Sequence, residues 1–129
     1  MIDDARITDK AAVKRVLLHS GKIHYDLLSE LQKQPNDEIA LVRVEQFYPV
    51  PVAELNAVVA QYPNAELVWV QDEPENQGAW PFIALEVVKH LHGRTIRRVS
   101  RKAAASPATG SPKVHAVEHA QLMQKALTL

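Results

Sequence analysis

Leu67-Val68-Trp69-Val70-Gln71-Asp72-Glu73-Pro74-Glu75-Asn76-Gln77-Gly78-Ala79-Trp80 is the stretch on which the fold turns. It opens as a short aliphatic and aromatic run, Leu67–Gln71. It then crosses a loop of carboxylates, amides, Pro and Gly, and ends where a helical pattern begins. An apolar run of that length bounded by turn residues reads as a strand buried on both faces. Beyond it, Trp80, Ala84, Val87 and Leu91 recur at helical spacing. Pro81 is tolerated there because it falls in the first turn. Strand, polar connection and helix together make half of a βαβ unit.

The same alternation runs outward in both directions. Lys14–His19, Ile39–Val44 and Ile96–Ser100 are further strand candidates rich in β-branched or aliphatic residues. Between them, Ile23, Leu27, Leu28 and Leu31 form one helical stripe, and Val52, Leu55, Val59 and Tyr62 another. A last helix is expected from Ser111 as N-cap, through Pro112 at the first helical position, to about Leu127. Its expected apolar face is Ala116, Ala120, Met123 and Leu127. Repeated strand–helix units predict a three-layer α/β/α domain on a mostly parallel sheet of about five strands. Lys102–Gly110 is loop-like, with room for a short edge strand. Residues 1–12 read as a detached linker and 13–129 as the domain; no internal repeat is visible.

Composition narrows the function classes. The chain of 129 residues is 47% hydrophobic and 23% charged, which places it with single-domain globular proteins. It has no Cys, which excludes disulfides, thiolate metal sites and a cysteine nucleophile. Fifteen basic residues balance fifteen acidic ones, so no net field draws it to nucleic acid or an anionic membrane. No apolar run reaches the ~18 residues of a membrane span. Asp3, Asp4 and Asp9 do not suit a signal or transit peptide. A soluble, intracellular protein is expected.

Four groups of residues carry candidate chemistry. His115, Glu118 and His119 spell H-x-x-E-H, and His at i and i+4 share a helix face. A catalytic zinc needs three protein ligands and an open position, and no downstream Glu completes this set, so the pattern reads as a solvated helix face with no metal. His90 and His92 diverge on a helix. Ser20-Gly21-Lys22 joins the first strand to the first helix, where a Gly, free N–H groups and a cation suit a phosphate. It is not a Walker A loop, and a tight turn with an exposed Lys is the plain alternative. Arg94, Arg97, Arg98, Arg101 and Lys102 surround the fourth strand, and Arg101 lies past its carboxyl end, where α/β sheets place ligands. If the first and fourth strands run parallel, Lys22 and Arg101 point into one crevice; scattered surface cations are the alternative. The loop Gln71–Trp80 is dense enough in polar chemistry to suggest binding rather than packing.

That loop also carries a resemblance. Gln71-Asp72-Glu73-Pro74 through Asn76-Gln77-Gly78-Ala79-Trp80 resembles the Glu-Glu-Pro-x-Asn-Gln-Gly-Ala-Trp signature of 2-oxoglutarate dehydrogenases, in their thiamine-diphosphate-dependent decarboxylating component, with Asp72 in place of the usual first Glu. Val16–Lys22 with Tyr25–Leu28, Val42–Pro49, and Ser106–Gly110 leading to Lys113–His115 agree in order, so the similarity covers about residues 12–128. The resemblance implies the C-terminal domain of that enzyme, with a transketolase C-terminal-like fold. The implied reaction is decarboxylation of 2-oxoglutarate on thiamine diphosphate, then succinyl transfer to a lipoyl group on the partner succinyltransferase.

The family's Gly-Asp-Gly motif for the diphosphate and magnesium is absent here. Thiamine diphosphate and Mg are therefore expected outside this chain, no residue of it is expected to be catalytic, and alone it is expected to be inactive. The resemblance further implies a regulator, acetyl-CoA or another nucleotide such as AMP. Ser20, Lys22 and Arg101 are then the expected phosphate contacts, with Gln77 nearby. Implied partners are the enzyme's other domains, a second copy in a homodimer, and the succinyltransferase complex. The implied location is bacterial cytoplasm or mitochondrial matrix. Two alternatives stand beside this reading: a free-standing CoA- or nucleotide-binding regulatory module, and a purely structural dimerisation domain.

Overall fold

The computed structural model describes residues 1–105 and 111–129. Its elements are β1 (Arg15–His19), α1 (Ile23–Lys33), β2 (Ile39–Arg43), α2 (Val52–Ala60), β3 (Glu66–Pro74), α3 (Trp80–Phe82), β4 (Ile96–Arg101) and α4 (Pro112–Leu127). The four strands form one sheet in the order β2-β1-β3-β4, and every pairing is parallel. The expected α/β architecture and the four strand positions are thus present, with four strands among the described residues. Lys102–Ala105 adds no strand, and the remainder of the proposed edge-strand segment, 106–110, lies outside the described residues.

The two-residue period of the strands divides the core into two layers. Val16, Leu18, Ala40, Val42, Leu67 and Trp69 face α2 and the α3 segment, packing with Leu55, Val59, Ile83, Val87 and Leu91. Leu17, Ile39, Leu41, Val68, Val70 and Val99 face α1 and α4, packing with Ile23, Leu27, Leu31, Leu122, Met123 and Ala126. Handedness explains the sides. The chain steps from β1 to β2 in one direction and from β2 to β3 to β4 in the other. Right-handed crossovers then place α1 on one face and α2 and α3 on the opposite one. The order reverses between β1 and β3, which makes that gap the sheet's topological switch point.

Three local expectations are corrected. Residues 1–12 are not a detached linker. Ile2 bridges Arg43 in antiparallel fashion at the β2 edge, Asp4 accepts the Leu41 N–H at 2.8 Å, and Ile7 is buried in the core. An edge strand offers unpaired backbone groups, and this segment covers them. The third helix holds its α form only over Trp80–Phe82, continuing as a π turn (Ile83–Val87) and a 3₁₀ turn (Val88–His90). That rewinding buries Ile83, Val87 and Leu91, leaving Ala84 exposed. On α4, Leu122, Met123 and Ala126 are buried, whereas Ala116 and Ala120 are exposed.

Only the carboxyl half of α4 buries side chains in the core, and Arg15 pins that end to the sheet. This buried guanidinium donates to the carbonyls of Lys125, Ala126 and Thr128 at 3.0, 2.9 and 2.8 Å. A cation at a helix C-terminus satisfies orphan carbonyls and opposes the macrodipole. Ser111 caps the other end as expected, its side chain accepting from the Val114 N–H.

Candidate functional site

The carboxyl edge of the sheet, at the switch point, is where an open α/β sheet places ligands. Ser20, Gly21 and Lys22 leave β1 there; Gly21 has φ +78° and no side chain within reach, so the chain turns sharply into α1. Lys22 is exposed, and α1 begins without a side-chain cap, its His24 and Tyr25 N–H groups donating to the Gly21 and Lys22 carbonyls at 3.3 and 3.1 Å. Arg101 ends β4, on the far side of β3. Two strand spacings put the Ser20–Lys22 turn and Arg101 about 10 Å apart. Both stand at the carboxyl edge of the sheet, with β3 between them.

The crevice is not simply basic. The Arg101 Nε donates to the Asp72 carbonyl at 2.7 Å, and its Nη1 lies 3.6 Å from Glu118. Asp72 on β3, Asp26 on α1 and His119 on α4 converge beside it. The His119 Nδ1 is 3.5 Å from the Asp72 carboxylate, and its Nε2 is 3.8 Å from that of Asp26. Neither aspartate stood out in sequence as sharing a site with His119, because the three come from separate segments. His119 was visible only as half of H-x-x-E-H. The rings of His115 and His119 do stack, at 6.2 Å between centroids, but the partners of His119 are the two aspartates.

The Gln71–Trp80 loop is held together by its own amides. Gln71 is buried; its Oε1 accepts from the Trp69 Nε1 at 2.9 Å and the Trp80 N–H at 2.8 Å. Its Nε2 donates to the carbonyls of Glu73, Pro74 and Gln77. Gly78 has φ +64°, and a Cβ there would stand 3.0 Å from the Glu73 Cβ, so only glycine fits. Asn76 clasps Ala104 through both its amide groups, and Gln77 Nε2 donates to the same Ala104 carbonyl at 2.9 Å. Gln77 is therefore engaged with the strand-following segment rather than directed at the β1 turn. The other arginines are likewise engaged. Arg94 donates to Val59, Tyr62 and Ala65 carbonyls, Arg97 meets Glu66 and Arg98 meets Glu75.

One buried titratable group borders this edge. His19 is fully buried at the end of β1, its Nδ1 2.8 Å from the Leu17 carbonyl and its Nε2 2.9 Å from His24 Nδ1. A carbonyl accepts only, so His19 Nδ1 carries the proton and Nε2 accepts from His24 Nδ1–H; both rings are neutral. Burial, assisted by His24 and Arg43, pushes the His19 pKa down to about 4. Burial, with Arg43 next, lowers that of His24 as well.

The described residues on this edge present an anchored guanidinium, a helix start with an exposed lysine, and an acid–imidazole cluster. Such a set binds and positions ions or charged ligands.

Comparison with known proteins agrees with this architecture. The family model described as "2-oxoglutarate dehydrogenase C-terminal" matches residues 1–127. The "2-oxoglutarate dehydrogenase E1/E2 component" of Corynebacterium glutamicum is 44% identical over 128 residues, which is 98% of this chain and 10% of that protein. The "Multifunctional 2-oxoglutarate metabolism enzyme" of Mycolicibacterium vanbaalenii is 44% identical over 121 residues, 92% of this chain and 10% of its own length. The enzyme of the same name from Mycobacterium sp. (strain JLS) is 45% identical with the same coverage. The chain thus spans about a tenth of the curated relatives it matches. The match begins at residue 1, in keeping with the packed N-terminal segment. With the parallel sheet, the signature loop and this end-to-end match in place, the chain belongs to the 2-oxoglutarate dehydrogenase C-terminal family.

Proposed function

We propose that the chain works as the C-terminal domain of the decarboxylating component of a succinyl-transferring 2-oxoglutarate dehydrogenase. In the longer protein, thiamine diphosphate with Mg supplies the carbanion chemistry, and the acyl group passes to a lipoyl carrier on the succinyltransferase. No Gly-Asp-Gly occurs in this chain, so the cofactor is held by other domains. The role of this domain is to pack against those domains and a second copy, and to bind a regulatory phosphate-bearing ligand, acetyl-CoA or a nucleotide such as AMP.

One observation carries the ligand reading: the switch-point crevice sets the uncapped start of α1 and exposed Lys22 across β3 from the anchored Arg101. An ammonium and a guanidinium are donors that phosphates select, and a helix start adds the favourable end of its dipole. Ser20, half-buried at the β1 end, adds a hydroxyl, and Gln77 contributes by holding the segment after Arg101.

Calorimetric titration with acetyl-CoA, CoA and AMP tests the reading. Each charge-assisted contact is worth about 1.5–3 kcal/mol, so Lys22→Ala or Arg101→Ala is expected to weaken binding roughly 10–150-fold. Arg101→Lys is expected not to restore it, because an ammonium cannot reproduce the planar fork. Binding is expected to weaken with added salt. Absence of binding below the millimolar range, or no effect of either substitution, would leave the domain a structural and dimer-forming one.

A further inference from the structure

We propose that Asp26, Asp72 and His119 form a binding site for a single divalent first-row metal cation, with Zn²⁺ as its preferred ion. The three residues each offer one ligand atom, and these atoms all lie within 4.8 Å of one another. They arrive from α1, β3 and α4, at the switch-point crevice, and each is partly buried. The site is therefore open enough to leave positions for water or a ligand. Two carboxylates with one imidazole form a borderline donor set, suited to Zn²⁺ or Mn²⁺ and poor for Ca²⁺, which takes all-oxygen cages.

Two further features ask for a cation. The first is charge. With a neutral imidazole, Asp26, Asp72 and Glu118 place three negative charges against the one positive charge of Arg101. A divalent ion neutralises that excess. The Glu118 Oε2, shielded from solvent, has no hydrogen bond, and the Arg101 Nη1 stands 3.6 Å from it. The second is the imidazole itself. Its two nitrogens face two carboxylates at 3.5 and 3.8 Å. A neutral ring can donate to only one of them, and both separations exceed a hydrogen bond. Ligands at ~2.0–2.2 Å from one metal lie roughly 3–3.5 Å apart, so an ion held through one imidazole nitrogen requires the carboxylate facing the other nitrogen to swing toward it. Asp72 is already steadied by the Arg101 Nε on its own carbonyl, the kind of outer contact that orients a metal ligand.

This trio differs from the H-x-x-E-H spacing, on which no metal was expected. That pattern needs His115, which faces neither aspartate in any described contact.

Calorimetric titration of the whole chain with ZnCl₂ at pH 7.5 decides, with Co²⁺ absorption as a second readout. The expected result is one ion per chain. His119→Ala and Asp72→Asn are each expected to weaken binding at least about tenfold. His115→Ala is expected to bind as wild type. Far-UV circular dichroism checks each variant, and Asp26→Asn, on the outer turn of α1, serves if Asp72→Asn fails to fold. Three results would overturn the proposal. One is no saturable binding by millimolar Zn²⁺. Another is equal loss in His115→Ala, which would mean a surface histidine pair. The third is full binding retained in both Asp26→Asn and Asp72→Asn. None of these outcomes depends on whether acetyl-CoA binds.

Discussion

Lowering the pH from 7.5 to 4.5 is expected to cost the folded chain about 2–3 kcal/mol through one side chain, His19. Its ring is fully buried and neutral, and burial holds its pKa at about 4 against 6.5 in the unfolded chain. A base with a depressed folded pKa binds fewer protons when folded. Its stabilising effect is complete above pH 6.5 and is lost as the pH falls toward 4. That gap, at 1.36 kcal/mol per pH unit, amounts to about 3 kcal/mol, most of it lost by pH 4.5. With a urea m-value of about 1–3 kcal/mol/M, the unfolding midpoint should fall by roughly 1–2 M. His24 adds in the same direction, since burial lowers its pKa too. Asp3 acts outside this window. Burial raises its pKa, but hydrogen bonds from Lys10 and Tyr62 outweigh that and hold it below 3.8, so its contribution is lost only at more acid pH. The assay is urea denaturation of wild type and His19→Gln across this pH range. The variant starts less stable but should show a much shallower pH dependence. An unchanged slope in His19→Gln would refute the assignment.

Gly78→Ala is expected to lower stability by about 1–3 kcal/mol, because it forces a side chain into positive φ against Glu73; a thermal melt unchanged within a degree would contradict this. Arg15→Met leaves the carbonyls of Lys125, Ala126 and Thr128 without their donor and should cost at least about 2 kcal/mol. Hydrogen exchange should then quicken in α4 before β1 or β3, and uniform protection would count against the pinning role. The chain alone, given thiamine diphosphate, magnesium and 2-oxoglutarate, is expected to release no carbon dioxide above a cofactor blank, since no Gly-Asp-Gly cofactor motif is present in it.

Much of the fold was legible along the chain. Val16–Leu18, Ile39–Val42 and Leu67–Val70 are aliphatic or aromatic at successive positions because both sheet faces are covered, so these runs marked the strands. Ser111-Pro112 marked the start of α4 through local capping chemistry, and Leu55, Val59 and Tyr62 marked the buried side of α2. The family was also readable, since Gln71–Trp80 is contiguous. Other features depended on which segments meet. The docking of the N-terminal segment through Ile2, Asp4 and Ile7 requires an open β2 edge, a property of strand order rather than of those residues. The buried face of α4 was misread at Ala116 and Ala120 because docking is set by Arg15, a residue distant in sequence. The signature loop read as a binding loop, yet its amides close on the loop's own backbone and on Ala104, and such pairing is decided only when the chain has folded. The crevice shows the same division. Lys22 and Arg101 could be placed from strand ends, whereas Asp26, Asp72 and His119 acquire a common chemistry only where α1, β3 and α4 converge, since charges interact through space and not along the chain.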